Sequence, residues 1–167
     1  MNLKQTSSIG DRQFVTLGID GEIFGIEVTA VREILEVRPI TRLPQCPPYL
    51  LGMIDVRGST VPVIDLRSKL GLPSAANTEQ TRILVLDIPG ESGARVLGLL
   101  TDRVFEVTSL DEQVMQPPPD IGVRWRSDYI QGLGRRGDAF VVVFDLERLF
   151  SSHETALIDS LGGLEAG

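Results

Sequence analysis

Tyr49, Gly52, Asp65 and Leu66 return as Tyr129, Gly132, Asp145 and Leu146, each 80 residues later. Between them Val61 and Val63 recur as Val141 and Val143, and Phe144 stands where the first copy has Ile64. Each copy reads as one device: Tyr-x-x-Gly, a Gly-punctuated turn, an apolar strand ending in Asp-Leu, then one helical turn. A second parallel sets Gly25, Val31, Glu33 and Ile34 against Gly98, Val104, Glu106 and Val107, at an offset of 73. A chain of 167 residues with this echo is expected to be two similar halves packed together. Lobes of roughly 70 residues are marginal alone, so a shared core is expected between them.

Short strands dominate the pattern. Phe14–Ile19 and Glu22–Ile26 flank Asp20-Gly21, a dipeptide suited to a tight hairpin turn. Arg82–Ile88 leads through Pro89–Gly93 into Ala94–Leu100, a matching hairpin whose longer loop accounts for much of the difference between the two offsets. Thr29–Ile34 is a candidate for one helical turn, and Gly71–Asn77 reads as the connector between halves. Many short strands with Gly and Pro turns predict an all-β chain of small barrels or a sandwich. Pro117-Pro118-Pro119 reads as a stiff polyproline-type stretch, or as a ligand for another domain. Ser151 and Glu154 have capping-box spacing ahead of an apolar stripe at Ala156, Leu157 and Leu161, so a C-terminal helix is expected over 151–162. Residues 1–11 and 163–167 are expected to be flexible tails.

Composition narrows the function classes. The formal net charge is −7 and aromatic residues make up 5% of the chain. That balance disfavours a nucleic-acid-binding barrel, which needs a basic, aromatic-rich face. The apolar run Phe140–Phe144 is far short of the roughly 20 residues that span a bilayer, and the first residues lack a signal-peptide core. A soluble cytoplasmic protein without direct membrane insertion is the expectation.

The catalytic inventory is thin. His153 and Cys46 are the single residues of their types, so zinc-site spacing is impossible, and no cofactor motif occurs. Asp65 and Asp145 form a candidate carboxylate pair for a small hydrolase. Each also stands between an apolar strand and Leu-x-x-Leu, where an N-cap would satisfy the free amides of a helical turn. The second reading is preferred, and no enzymatic activity is expected.

The polar turn Asp55-Val56-Arg57-Gly58-Ser59-Thr60 has no copy in the second half, which reads Gly137-Asp138 in place of Arg57-Gly58. Burying an unpaired guanidinium is expensive, so Arg57 is expected in solvent. Glu33 is its candidate partner. The pair is either an ordinary solvated turn or a docking element, with Val31, Ile34 and Leu35 as adjacent apolar area.

Here the chain resembles the CheW-like adaptor family over about residues 12–160. The carriers are Phe14-Val15-Thr16-Leu17, Phe24-Gly25-Ile26, Val31-Arg32-Glu33-Ile34, Gly52–Gly58, Val61–Arg67, Tyr129–Gly134 and Ala156–Ser160. Asp55 stands where the family usually has Asn. The resemblance implies two five-stranded SH3-like barrels in one domain over 12–152, approximately 14–76 and 81–150 by sequence. Whether strands exchange between them stays open. It also implies a non-enzymatic adaptor that binds the cytoplasmic tip of methyl-accepting chemotaxis receptors and the regulatory domain of the histidine kinase CheA. Other CheW-like domains are possible ring partners, and an adaptor for surface motility or biofilm signalling is the alternative. The receptor-facing residues so implied are Val31, Glu33, Ile34, Gly52, Asp55, Arg57 and Gly58, with an apolar groove between barrels. Thr81, Arg82 and Ile83 are the candidate kinase-facing residues.

Overall fold

The computed structural model describes residues 11–89, 93, 95–111, 129–136 and 138–150. The expectations for the tails over 1–10 and 163–167, for Pro117–Pro119 and for the helix over 151–162 with His153 lie outside them, while Asp11, expected in the first tail, opens a strand. Ten strands follow in chain order: β1 Asp11–Ile19, β2 Glu22–Glu27, β3 Val31–Glu36, β4 Leu50–Val56, β5 Ser59–Asp65, β6 Arg82–Ile88, β7 Arg95–Thr101, β8 Arg103–Asp111, β9 Ile130–Arg136 and β10 Ala139–Phe144. Among the described residues the helical elements with both ends in view are a 3-10 turn at Val28–Ala30 and one-turn helices α1, Leu66–Lys69, and α2, Leu146–Leu149. The Thr29–Ile34 segment therefore corrects the expectation of a helical turn: it helps form the 3-10 turn at Thr29 and Ala30, then extends as β3. The β-branched and alternating residues that follow suit a half-buried edge strand. Among the described residues no helix is long and apolar enough to cross a membrane.

The strands form two five-stranded sheets, ordered β8-β1-β2-β10-β9 in barrel I and β3-β6-β7-β5-β4 in barrel II. Exchanging β1–β5 for β6–β10 converts one order into the other, so the sequence repeat is a pseudo-symmetry of the fold. Each half gives its hairpin to the other half's barrel. The repeat boundary near residue 80 is thus a boundary of sequence and not of the sheets. The exchange is sealed by two equivalent parallel pairings, Val143 with Gly25 and Val63 with Gly98.

Closure of each sheet follows from close approaches at its edges. In barrel I a β-carbon on Gly134 of β9 would stand 2.9 Å from Leu110 Cδ1 of β8. In barrel II the chain leaving β3 returns to β4, where Thr41 and Met53 exchange two backbone hydrogen bonds of 2.8 Å.

Three apolar clusters result. Phe14, Leu110, Val141 and Val143 fill barrel I, and Ile54, Val56, Val61, Val63 and Ile83 fill barrel II. The largest lies between the barrels and draws on both, from Leu17, Ile19, Phe24 and Ile26 to Leu84, Leu86, Leu97 and Leu99. Each such side chain contributes about 1.5–3 kcal/mol on full burial, so the shared cluster binds the two barrels into one unit. The Phe24 and Phe144 rings stack there at 4.9 Å between centroids. Above this core, the repeat-related Tyr49 and Tyr129 rings share one cation, with Lys69 Nζ at 4.7 and 5.5 Å from their centroids.

Candidate functional site

The β4–β5 connection is a two-residue turn, with Val56 paired to Ser59 across it. Arg57 and Gly58 occupy it with φ of +52° and +86°, the left-handed pair that matches strand twist in tight hairpins. Gly58 adopts this without cost, whereas Arg57 carries the strain of a side chain in a sparsely populated region. The turn holds Arg57 79% exposed while its Nη1 donates to Glu33 Oε2 at 2.6 Å. Glu33, with a side chain only 22% exposed, is the fixed partner of the two.

That pair crosses the seam of barrel II, because β3 and β4 are the two edges of its sheet. Arg38 adds a second tie across the same seam, donating from Nη1 to the Asp55 carbonyl at 3.1 Å. Asp55 itself is exposed, opposite Thr60 in the hairpin. The sequence pattern offered no sign of Arg38, whose partner is a backbone atom.

Register divides the remaining implied residues. β3 shifts register between Val31, opposite Leu86, and Glu33, opposite Val85. The irregularity at Arg32 puts Val31 and Ile34 on the face shared with Leu84 and Leu86, toward the inter-barrel core, and Glu33 and Leu35 toward barrel II. Val31 packs on that core, whereas Ile34 is left 43% exposed. Gly52 is buried, with the Thr41 backbone passing directly over it, so it supports the site from beneath and presents no contact atom of its own.

The implied kinase-facing strand start is mostly interior. Ile83 is fully buried in barrel II. Thr81 is buried too, its Oγ1 accepting from the Thr78 amide at 2.7 Å. Arg82 alone reaches the surface, and its Nη1 turns back onto the Glu79 and Thr81 carbonyls at 2.8 and 2.9 Å. Two of the three positions are thus used for packing or for the turn, which leaves Arg82 as the one with exposed surface.

Asp65 and Asp145 act as N-caps. Asp65 accepts from the Arg67 amide and Asp145 from the Arg148 amide, both at 3.2 Å. Their own amides donate to the Tyr49 and Tyr129 carbonyls at 2.8 Å, so Tyr-to-Asp spacing is a backbone closure repeated in both halves. Burial pushes the Asp65 carboxyl above its ordinary value, against the lowering effect of the Arg67 amide and charge. A cleft of about 390 Å³ between the barrels is lined by Glu27, Thr29, Ala30, Asp87, Asp145 and Glu147, among others, and not by Asp65. None of the implied receptor-facing residues lines it, and it is not the apolar groove expected from the resemblance. Its carboxylates are largely matched already: Glu27 pairs with Arg12 at 2.5 Å, Asp87 with Arg32 at 2.9 Å and Asp145 with Arg148 at 3.6 Å.

Arg67, in sequence only the last residue of the Val61–Arg67 motif, anchors a cluster of charges. Its guanidinium, in a side chain 14% exposed, binds Asp102 through Nε at 2.9 Å and Nη2 at 2.7 Å. Nη1 also donates to the Pro73 carbonyl at 3.1 Å, and Nη2 lies 3.5 Å from Asp20. The available signal was a mismatch: the repeat has Glu147 where the first half has Arg67.

Comparison with known proteins bears on the family and the fold. The CheW-like domain model matches residues 13–154. The chain is similar to the chemotaxis protein CheW of Klebsiella aerogenes, 33% identical over 150 residues that cover 90% of this chain and 88% of that protein. It is similar to a probable chemotaxis protein CheW of Rhizobium etli, 32% identical over 146 residues, covering 87% and 92%. The crystal structure of the scaffolding protein TtCheW from Thermoanaerobacter tengcongensis superposes with a TM-score of 0.76 at 26% identity, covering 88% of this chain and 92% of that one. With the family model spanning nearly the whole domain and the same fold in a solved relative, the chain belongs to the CheW-like domain family.

Proposed function

We propose that the chain is a non-enzymatic coupling adaptor of bacterial chemotaxis, acting in the cytoplasm between the tips of methyl-accepting receptors and the histidine kinase CheA. The observation that carries this reading is the exposed Arg57, strained into a turn and steered by Glu33 at 2.6 Å. As a stability device such a pair is worth only about 0–1 kcal/mol. As a docking device it presents a guanidinium whose remaining donors suit a carboxylate or carbonyl of a helical partner. Ile34, next to Glu33 on β3, adds an exposed apolar side chain on the other face of that edge strand, and a helical hairpin tip suits a surface of this kind.

For the kinase side, Arg82 is the one residue of the implied trio with surface to offer. The kinase's regulatory domain is itself CheW-like by the resemblance, so barrel-to-barrel contacts there, or with further CheW-like domains in a ring, would reuse pseudo-symmetric surfaces. Individually modest contacts gain strength by multivalency in an array.

The test is co-precipitation of the purified chain with a receptor-tip fragment and with CheA, and kinase activation in the ternary mixture. Binding to both, lost on the receptor arm for Arg57→Asp, is the expected result. Binding to neither rejects the adaptor reading.

A further inference from the structure

The chain passes between barrels at two repeat-related crossovers: from β2 to β3, and from β7 to β8. They are built differently. At the second, Asp102 is the single residue between β7 and β8, and Arg67 grips it with two hydrogen bonds of 2.9 and 2.7 Å. Asp102 Oδ2 also accepts from the Asp20 amide at 2.9 Å, and Thr101 Oγ1 donates to the Gly18 carbonyl at 3.1 Å. Arg67 belongs to the helical turn after β5 of barrel II, and Asp20 to the β1–β2 turn of barrel I. The Arg67–Asp102 bonds lie in partly buried surroundings, which strengthens them, and the step on to barrel I is the exposed Asp20 amide with the buried Thr101–Gly18 bond.

The first crossover is the 3-10 turn Val28–Ala30. The offset of 73 places Val28 and Thr29 at the positions of Thr101 and Asp102, and the offset of 80 places Glu147 at that of Arg67. Thr101, Asp102 and Arg67 thus have Val28, Thr29 and Glu147 at their repeat-related positions. Thr29, Ala30 and Glu147 line the inter-barrel cleft instead, and among the described residues no side chain caps the turn. Among the described residues Val28 and Ala30 hold it by apolar packing on the shared core, with the Arg12–Glu27 and Arg32–Asp87 pairs on either side. This crossover runs straight into Val31 and Glu33.

We infer that the two crossovers differ mechanically: Arg67 and Asp102 lock the β7–β8 crossover, and the Val28–Ala30 turn is the compliant joint through which load on β3 reaches barrel I. The lock follows from the bonding alone. The assignment of load to β3 rests on the proposed receptor docking.

Amide hydrogen exchange on the full chain, read residue by residue, tests the lock without any partner. In Arg67→Gln the Asp20 amide should exchange about tenfold faster than in wild type, with Val31 unchanged. An unchanged Asp20 rate overturns the lock, and Asp102→Asn repeats the test should Arg67→Gln fail to fold. The joint is tested by grafting: Thr29→Asp with Glu147→Arg places the grip at the first crossover. Exchange at Val31 should then slow about tenfold, and receptor control of the kinase should fall while receptor-fragment affinity stays within about twofold. Unaltered receptor control in a variant whose Val31 has slowed overturns the joint. Failure of the wild-type chain to bind either partner overturns the adaptor reading instead, and leaves the exchange result standing.

Discussion

A β-carbon on Gly52 would stand 2.2 Å from the carbonyl oxygen of Thr41. Gly52 also has φ of +149°, where a side chain is strained. Gly52→Ala must therefore push apart the Thr41–Met53 bridge that closes barrel II. Overpacking of this kind costs about 1–3 kcal/mol, and backbone strain adds to it. Urea unfolding should show a lowered midpoint with an unchanged slope. Wild-type stability for this variant would contradict the structural role assigned to Gly52.

Arg57→Asp should separate docking from folding. The pair it breaks is exposed, so the melting free energy should change by no more than about 1 kcal/mol. Affinity for a receptor-tip fragment, measured by titration calorimetry, should disappear. The charge-swapped variant Glu33→Arg with Arg57→Glu should melt like wild type and still fail to dock, since the partner meets the opposite charge.

Asp65→Ala removes a cap and should cost about 0.5–2 kcal/mol. Asp65→Asn keeps the cap while relieving the burial of a carboxylate that stands above its ordinary value, and should melt at or above wild type at neutral pH. Receptor and kinase affinities should be unaffected by either. Loss of partner binding with unchanged melting would assign Asp65 to a docking surface after all.

The Arg67–Asp102 lock has a pH signature. Burial alone would raise the Asp102 carboxyl, but hydrogen bonds from Arg67 and the Asp20 amide, with the Arg67 charge, hold it below its ordinary 3.8. A depressed acid stabilises the fold above its unfolded value, and that contribution is lost as pH falls through the folded value. The melting difference between wild type and Asp102→Asn should be full at neutral pH and close only below pH 3.8. Asp65 has the opposite sign: its burial penalty is relieved as pH falls through its raised value. Thermal melts of both variants from pH 7 to pH 3 should therefore diverge in direction.

Ile83 and Arg82 offer an adjacent contrast. Ile83→Ala should cost about 2–5 kcal/mol, because it opens a cavity in the barrel II core. Arg82→Glu should leave melting nearly unchanged and weaken CheA binding. A fully folded Arg82→Glu variant with undiminished kinase binding would remove this strand start from the kinase face.

Much of the scaffold was legible because its devices are local. Asp20-Gly21, the Tyr-x-x-Gly step and the Asp-Leu caps are each defined by residues within one hairpin or one turn. The Thr29–Ile34 segment was misread because its short apolar spacing suits either a helical turn or an edge strand, and pairing with β6 decided it. Thr81, Arg82 and Ile83 are implied only by the family resemblance, and which of them face inward depends on the core that barrel II builds against them.

The sequence by itself determined that there are two copies of one unit, where their turns and caps fall, and which turn is unique to the first copy. Only the tertiary structure decided that the hairpins are exchanged, that Arg57 reaches Glu33 across a barrel seam, and that Arg67 grips Asp102. The physical reason is range. Turn conformation and capping depend on neighbours a few residues away, whereas strand exchange and the Arg67–Asp102 bonds join residues far apart in the chain, whose partners exist only once both barrels share a core.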